Sequence, residues 1–367
     1  MHARAGRTLV GQVSIALLVL AAGAVVVGCN GEATSKPKLF LSLPEYCNTP
    51  DGLTLDDKTN VVYLCCPNFN EKAGGEQEKY AGLVMKIDPS NELSIFSPLP
   101  LHPDTGKVGP MGLDIGPDGN LYVADNQYFW SKEYKSRLLR VKVSGGKAVG
   151  ADVAVDGFKL ANAVIWRDDA VYVSDTFFDI EDKPGTSGVF RIEMSEIAKG
   201  TVHLKPGLDD PHLIATFTTI PNHRKDVGGA DGLTFDGDGN LYCGNFGDGV
   251  ISKITFDKDG EVASKKILVK DKDFPCADGM FWDKKSNTIF VTDSEKNAVR
   301  VVTPDGKLST LWINGDTDGS DGLLDQPCEV VVRGDELLIV CFDMPFPGLT
   351  NSAYDKHHTI SVIKLKR

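Results

Sequence analysis

The sequence predicts an all-β fold, a six-bladed β-propeller with four antiparallel strands per blade, and three observations carry that expectation. One unit recurs six times along the 367 residues. Each copy is a short apolar strand, a tight turn rich in Asp, Gly and Asn, and a second apolar strand, the pattern of a hairpin. Helical periodicity is nowhere sustained, which argues against an α/β barrel. Repeats spaced by about 50 residues point to propellers or arrays, in which neighbouring units cover each other's apolar faces.

The copies are "PDGLTLDDKTNVVYLCC" (50–66), "PMGLDIGPDGNLYVADN" (110–126), "ANAVIWRDDAVYVSDT" (161–176), "ADGLTFDGDGNLYCGNF" (230–246), "ADGMFWDKKSNTIFVTDS" (277–294) and "PCEVVVRGDELLIVCFD" (327–343). Two weaker strand candidates follow each hairpin, such as "GVISKITFD" and "ASKKILVK" in the fourth copy. The last unit runs out after its third strand, "HTISVIKLK" (358–366). "KLFLSL" (38–43) is expected to supply the missing fourth strand and so cover both open edges. One propeller domain is therefore expected over residues 38–367.

A formal net charge of -12 lacks the basic footprint that nucleic acid or an anionic membrane surface requires. Small molecules and cations remain as partners. At the amino terminus, Arg4 and Arg7 precede an apolar run from Leu9 to Val27 that ends in "VVGCN". This resembles a bacterial lipoprotein signal with its lipobox. It implies a signal peptide over 1–28, lipidation at Cys29, a short polar tether through residue 37, and an exported protein anchored to a membrane on its periplasmic or extracellular face. An uncleaved signal anchor is the alternative. The other seven cysteines are odd in number, so at least one is unpaired within the chain, and their spacing fits no zinc site.

In a four-stranded blade the innermost strands all start on one face of the disc, so their first residues converge on the central channel. In strict register these are Asp51, Met111, Asn162, Asp231, Asp278 and Cys328. Three carboxylates and a carboxamide in one channel repel or desolvate at high cost unless a cation sits among them. Oxygen-only ligation favours Ca²⁺, with Mg²⁺ or Mn²⁺ as alternatives. Turn chemistry alone explains Asp and Asn before a strand, but gives no reason for blades two and six to lack them.

The repeats "ADGLTFDGDGNLYCGNFGDGVI" and "ADGMFWDKKSNTIFVTDSEKNAVRVV" resemble the SMP-30/gluconolactonase family of six-bladed propellers, and the similarity spans about residues 38–367. The resemblance implies a divalent cation held by Asp51, where the family has Glu, by Asn162, by Asp231, where it has Asn, and by Asp278. It also assigns Asp278 the role of general base. An arginine that reads sugar hydroxyls in some members is replaced by Leu160, which weakens the case for a sugar lactone.

Loops between second and third strands are long, and loop length marks the functional face. They place Tyr128, Phe129, Trp130, Phe177, Phe178 and Phe346 near the mouth. Asn126, Tyr128, Trp130, Phe177, Asn245 and Asp293 are the expected substrate contacts, and Asp125 and Asp175 end second strands toward the same face. His357 and His358 are expected in solvent. No GxSxG elbow is present. The expected function is metal-dependent hydrolysis of small lactones; the alternative is a non-catalytic binding or scaffold propeller with a structural cation.

Overall fold

The second strands of the repeats read as continuous apolar runs and are buried along almost their whole length, as in Val61–Cys66, Leu121–Asp125 and Thr288–Asp293. Packing between neighbouring blades covers both faces, so no polar alternation is needed. Outer strands such as Val262–Val269 are largely exposed and alternate only over Val262–Lys265, because one face meets solvent. In the computed structural model, which describes residues 35–70, 79–178, 180–181, 183, 185–225 and 228–367, these strands build six sheets arranged as a propeller. The segment expected to be a signal peptide (1–28), Cys29 and the start of the expected tether lie outside the described residues.

The innermost strands are Leu53–Asp56, Pro110–Ile115, Ala161–Arg167, Ala230–Phe235, Met280–Asp283 and Pro327–Arg333. Five sheets have four strands; in blade two Val202–His203 adds a short parallel pairing with Val155 and Asp156. The sixth sheet runs Pro327–Arg333, Glu336–Cys341, Thr359–Lys364 and finally Lys38–Ser42, with Lys38 opposite Val362 and Ser42 opposite Thr359. The amino-terminal strand thus closes the ring. Among the described residues the one α-helix is the single turn Met194–Ile197, and no helix is long and apolar enough to cross a membrane.

Two local features aim the channel residues. The ladder between first and second strands shifts register where blades two, three, four and six carry Met111, Asn162, Asp231 and Cys328. Such an irregularity bends the strand and re-aims a side chain. The glycine that follows in "DG" and "MG" then lets adjacent blades touch. A Cβ on Gly52 would lie 2.5 Å from the Met111 carbonyl oxygen, one on Gly112 2.6 Å from that of Asn162, and one on Gly232 2.0 Å from that of Asp278. Each glycine packs on the channel residue of the next blade, so the repeated dipeptide sets the spacing of the inner ring.

Cys47 and Cys66 form a disulfide, while Cys65, Cys243, Cys276, Cys328 and Cys341 are free and buried.

Candidate active site

All six channel positions line one cavity of about 200 Å³ at the centre of the ring. Asp51, Asp231 and Asp278 are buried there, and Asn162 donates through Nδ2 to Asp231 Oδ2 at 2.8 Å. Ser294 Oγ lies within hydrogen-bond reach of both Asp278 Oδ2 and the Pro327 carbonyl, its one proton shared between them, and so pins Asp278 against blade six.

Burial, followed by the Asp278 charge, pushes the Asp51 carboxyl up to about 8. Burial likewise raises Asp278 to about 7, against the hydrogen bonds from Ser294 and Asp231 that favour its anion. Asp231 is raised well above the carboxylate range, by burial first and then by the Asp278, Asp51 and Glu329 charges. Asp231 and Asp278 therefore titrate as one coupled pair, both held above the ordinary carboxylate range by burial.

The residues present fit a hard divalent cation. Every ligand type is an oxygen donor. Asp51 Oδ2 is buried without a hydrogen-bond partner, and among the described residues the cavity lining includes no lysine or arginine. The oxygens of the three aspartates are not all within 4.8 Å of one another, so the set is open rather than closed into a chelate.

Above the ring the cavity is aromatic. Tyr128 and Phe177 stack with centroids 4.8 Å apart and planes 10° from parallel, and Phe129, Phe246, Phe342 and Phe346 complete the wall. Leu160 lines the same cavity. Asn126 is fully buried at its edge; its Oδ1 accepts the Tyr128 N–H, while its Nδ2 has no partner.

The other expected contacts, Trp130, Asn245 and Asp293, and the mouth aromatic Phe178 fall elsewhere. Trp130 packs its ring on Phe69, 5.5 Å between centroids, and Phe178 packs on Phe190. Asn245 is held by Thr219 and by the Gly247 N–H. Asp293 is taken by Arg300, at 3.0 Å from Nε and 2.7 Å from Nη2. None of these four lines the cavity.

The acids that end second strands anchor the blades. Asp125 accepts the Gly109 N–H at 2.9 Å and the Arg137 Nε at 2.8 Å, and Asp175 accepts the Lys159 and Leu160 N–H groups. They tie each second strand to the chain entering the inner strand, which fixes where the channel residue starts. His358, expected in solvent, is buried under the long loop of blade six, while His357 is exposed.

Several site residues escaped sequence reasoning. Ser294 is the residue after Asp293 in "VTDS", and its position at the strand end was a usable signal. Thr176 and Phe342 follow second strands in the same way, Gln326 immediately precedes the inner strand of blade six, and all three line the cavity.

No protein-family profile matches the chain, and neither does any curated protein sequence. Solved structures share its fold. A calcium-binding protein, regucalcin from Agrobacterium tumefaciens, superposes with a TM-score of 0.56 at 12% identity, over 93% of this chain and 97% of that one. A gluconolactonase from Xanthomonas campestris gives 0.52 at 12% identity, over 93% and 99%. The PQQ-bound aldose sugar dehydrogenase from Streptomyces coelicolor gives 0.56 at 13% identity, over 92% and 100%. The chain is therefore a six-bladed β-propeller with an acidic, aromatic-walled central cavity. The family resemblance read from its repeats has counterparts among these neighbours, a gluconolactonase and regucalcin, while the dehydrogenase marks how many chemistries one architecture carries.

Proposed function

We propose that this protein is a divalent-cation-dependent hydrolase of small lactones or related esters, acting in the central channel. The observation that carries the reading is the convergence of Asp51, Asn162, Asp231 and Asp278 at the floor of one aromatic-walled cavity. A cation held by these four residues would supply electrophilic polarisation of the substrate carbonyl. Ca²⁺ is the first choice for an all-oxygen set.

The chain's own groups supply the rest. Asp278, oriented by Ser294, accepts a proton from the attacking water as the water oxygen bonds to the carbonyl carbon. Cleavage of the ring C–O bond then returns that proton to the departing alkoxide. The Asn126 Nδ2 is a free donor at the cavity edge for a substrate oxygen. Tyr128 and Phe177 grip the ring and shed water from it. With Leu160 where a sugar-reading arginine would sit, the cavity favours lactones with an apolar flank over polyhydroxylated ones.

Hydrolysis should be lost on chelation and regained with calcium. The cation itself is tested by stability, since a ligand that binds only the native state raises the melting temperature as its concentration exceeds Kd. Calcium should raise the melting temperature, Asp231→Ala should remove most of that response, and Met111→Ala should keep it. Equal responses in the two variants would contradict the ligand set. The metal-free protein should also lose stability as pH rises from about 4 to 8. The Asp51 and Asp278 carboxyls are raised to about 8 and 7, so the native state there holds more protons than the unfolded chain. Saturating calcium should flatten that slope.

We also propose an exported lipoprotein, from the lipobox-like "VVGC". Cys29→Ser should leave the membrane fraction; a variant retained there at full precursor length points instead to a signal anchor.

A further inference from the structure

A second acidic cluster lies away from the central ring, in the loops of blade six. Asp325 stands at the end of the connection into the inner strand Pro327–Arg333, Asp343 follows the second strand Glu336–Cys341, and Asp355 precedes the third strand Thr359–Lys364. One carboxylate oxygen from each lies within 4.8 Å of the other two. Asp325 is 2% exposed and Asp343 3%.

Two unpartnered groups turn this cluster into a site. Asp325 Oδ1 is buried and accepts no hydrogen bond. His358, from a different segment and only 2% exposed, has both ring nitrogens unpartnered, and its Nε2 lies 3.8 Å from Asp343 Oδ2. Among the described residues no lysine or arginine forms an ion pair with any of the three acids. Asp343 is otherwise held in place, its Oδ1 accepting from Asn351 Nδ2 at 3.0 Å and its Oδ2 from the Asp355 N–H at 2.9 Å.

We propose that Asp325, Asp343 and Asp355 hold a second divalent cation, of the hard, oxygen-seeking class that includes Ca²⁺. Three carboxylates drawn together in a buried pocket repel unless a cation lies between them, and bidentate or bridging carboxylates suit Ca²⁺. His358 stands beside Asp343 as an additional nitrogen ligand and would widen the site's tolerance to Mn²⁺.

The cation would clip three separate segments of blade six to one another. Gln326, Phe342 and Phe346 lie in those segments and line the central cavity. The outer ion therefore sets the position of one cavity wall, without touching substrate.

The site does not depend on the central one, and the experiment separates them. Calcium bound at equilibrium is counted by dialysis and elemental analysis of the full-length protein, first as wild type and then with Asp231→Ala, which removes a central ligand. The Asp231→Ala protein should still bind one equivalent. Adding Asp325→Asn should weaken that remaining binding at least tenfold, and so should Asp355→Asn, whose partly exposed side chain tolerates substitution without unfolding. Both double variants should melt like their Asp231→Ala parent in chelator. If Asp231→Ala binds no calcium, or if neither added substitution weakens what it binds, the second site does not exist. If instead Asp325→Asn alone abolishes all calcium binding while Asp231→Ala changes nothing, the outer site stands and the central assignment fails.

Discussion

Asp278→Asn is expected to lower lactone hydrolysis by roughly 10²-fold or more, in line with general-base contributions, while calcium affinity falls far less. The carboxamide keeps a carbonyl oxygen that can face the cation and is nearly the same shape. What it loses is the capacity to take a proton. Asp278 is placed for that task by its surroundings: it lines the cavity, and Ser294 fixes its orientation. Asp293 is the matched comparison. Because it is locked to Arg300 outside the cavity, Asp293→Asn should alter stability and leave turnover per folded molecule nearly unchanged. Turnover and calcium binding measured on both variants check this; if Asp293→Asn lost the larger share of turnover, Asp278 would not be the base.

Asp125→Ala is expected to destabilise the protein by about 3–5 kcal/mol, the range for removing one partner of a buried ion pair. Arg137 is 5% exposed, and Asp125 meets its Nε at 2.8 Å. The same carboxylate also takes the Gly109 N–H and Gln127 Nε2, so truncation removes the shared acceptor of three groups at once. Most of the cost comes from the guanidinium left in the interior, so a paired replacement such as Asp125→Leu with Arg137→Met should recover much of it. Denaturant midpoints of the single and double variants measure both terms. A single variant within about 0.5 kcal/mol of the parent, the range of ordinary surface substitutions, would mean that the pair does not anchor blade two.

These two residues also show where the sequence was legible. Ring geometry depends on period and register, and both are written in the repeats. The position of Asp278 followed from counting back from "MFWD" to the strand entrance, and closure by "KLFLSL" followed from a blade one strand short. Asp125 and Asp293 were harder, because the end of a second strand fixes the face a residue occupies but not its partner. Their arginines arrive from the third strand, and only the cross-strand register brings Arg137 opposite Asp125. Loop residues were less legible still. Trp130 and Phe178 sit in loops whose length marked a mouth, yet each turns into a neighbouring apolar cluster, where it buries more surface than it could at the rim. Val202–His203 is too short to show any period. His358 lies in a polar stretch, and its burial comes from the fold of the surrounding loop, which one-dimensional polarity does not encode.

The central claim, that this propeller hydrolyses small lactones with a cation at its four-ligand floor, is most directly tested by a lactone panel. Hydrolysis of five- and six-membered lactones, with apolar and with hydroxylated substituents, is followed with the wild-type protein saturated with calcium, then after chelation, then after calcium is restored. The account predicts turnover of at least the apolar-flanked members, loss on chelation and recovery with calcium, with Asp231→Ala inactive throughout. Calcium-loaded protein that hydrolyses no member of the panel would contradict it and leave a non-catalytic binding propeller in its place.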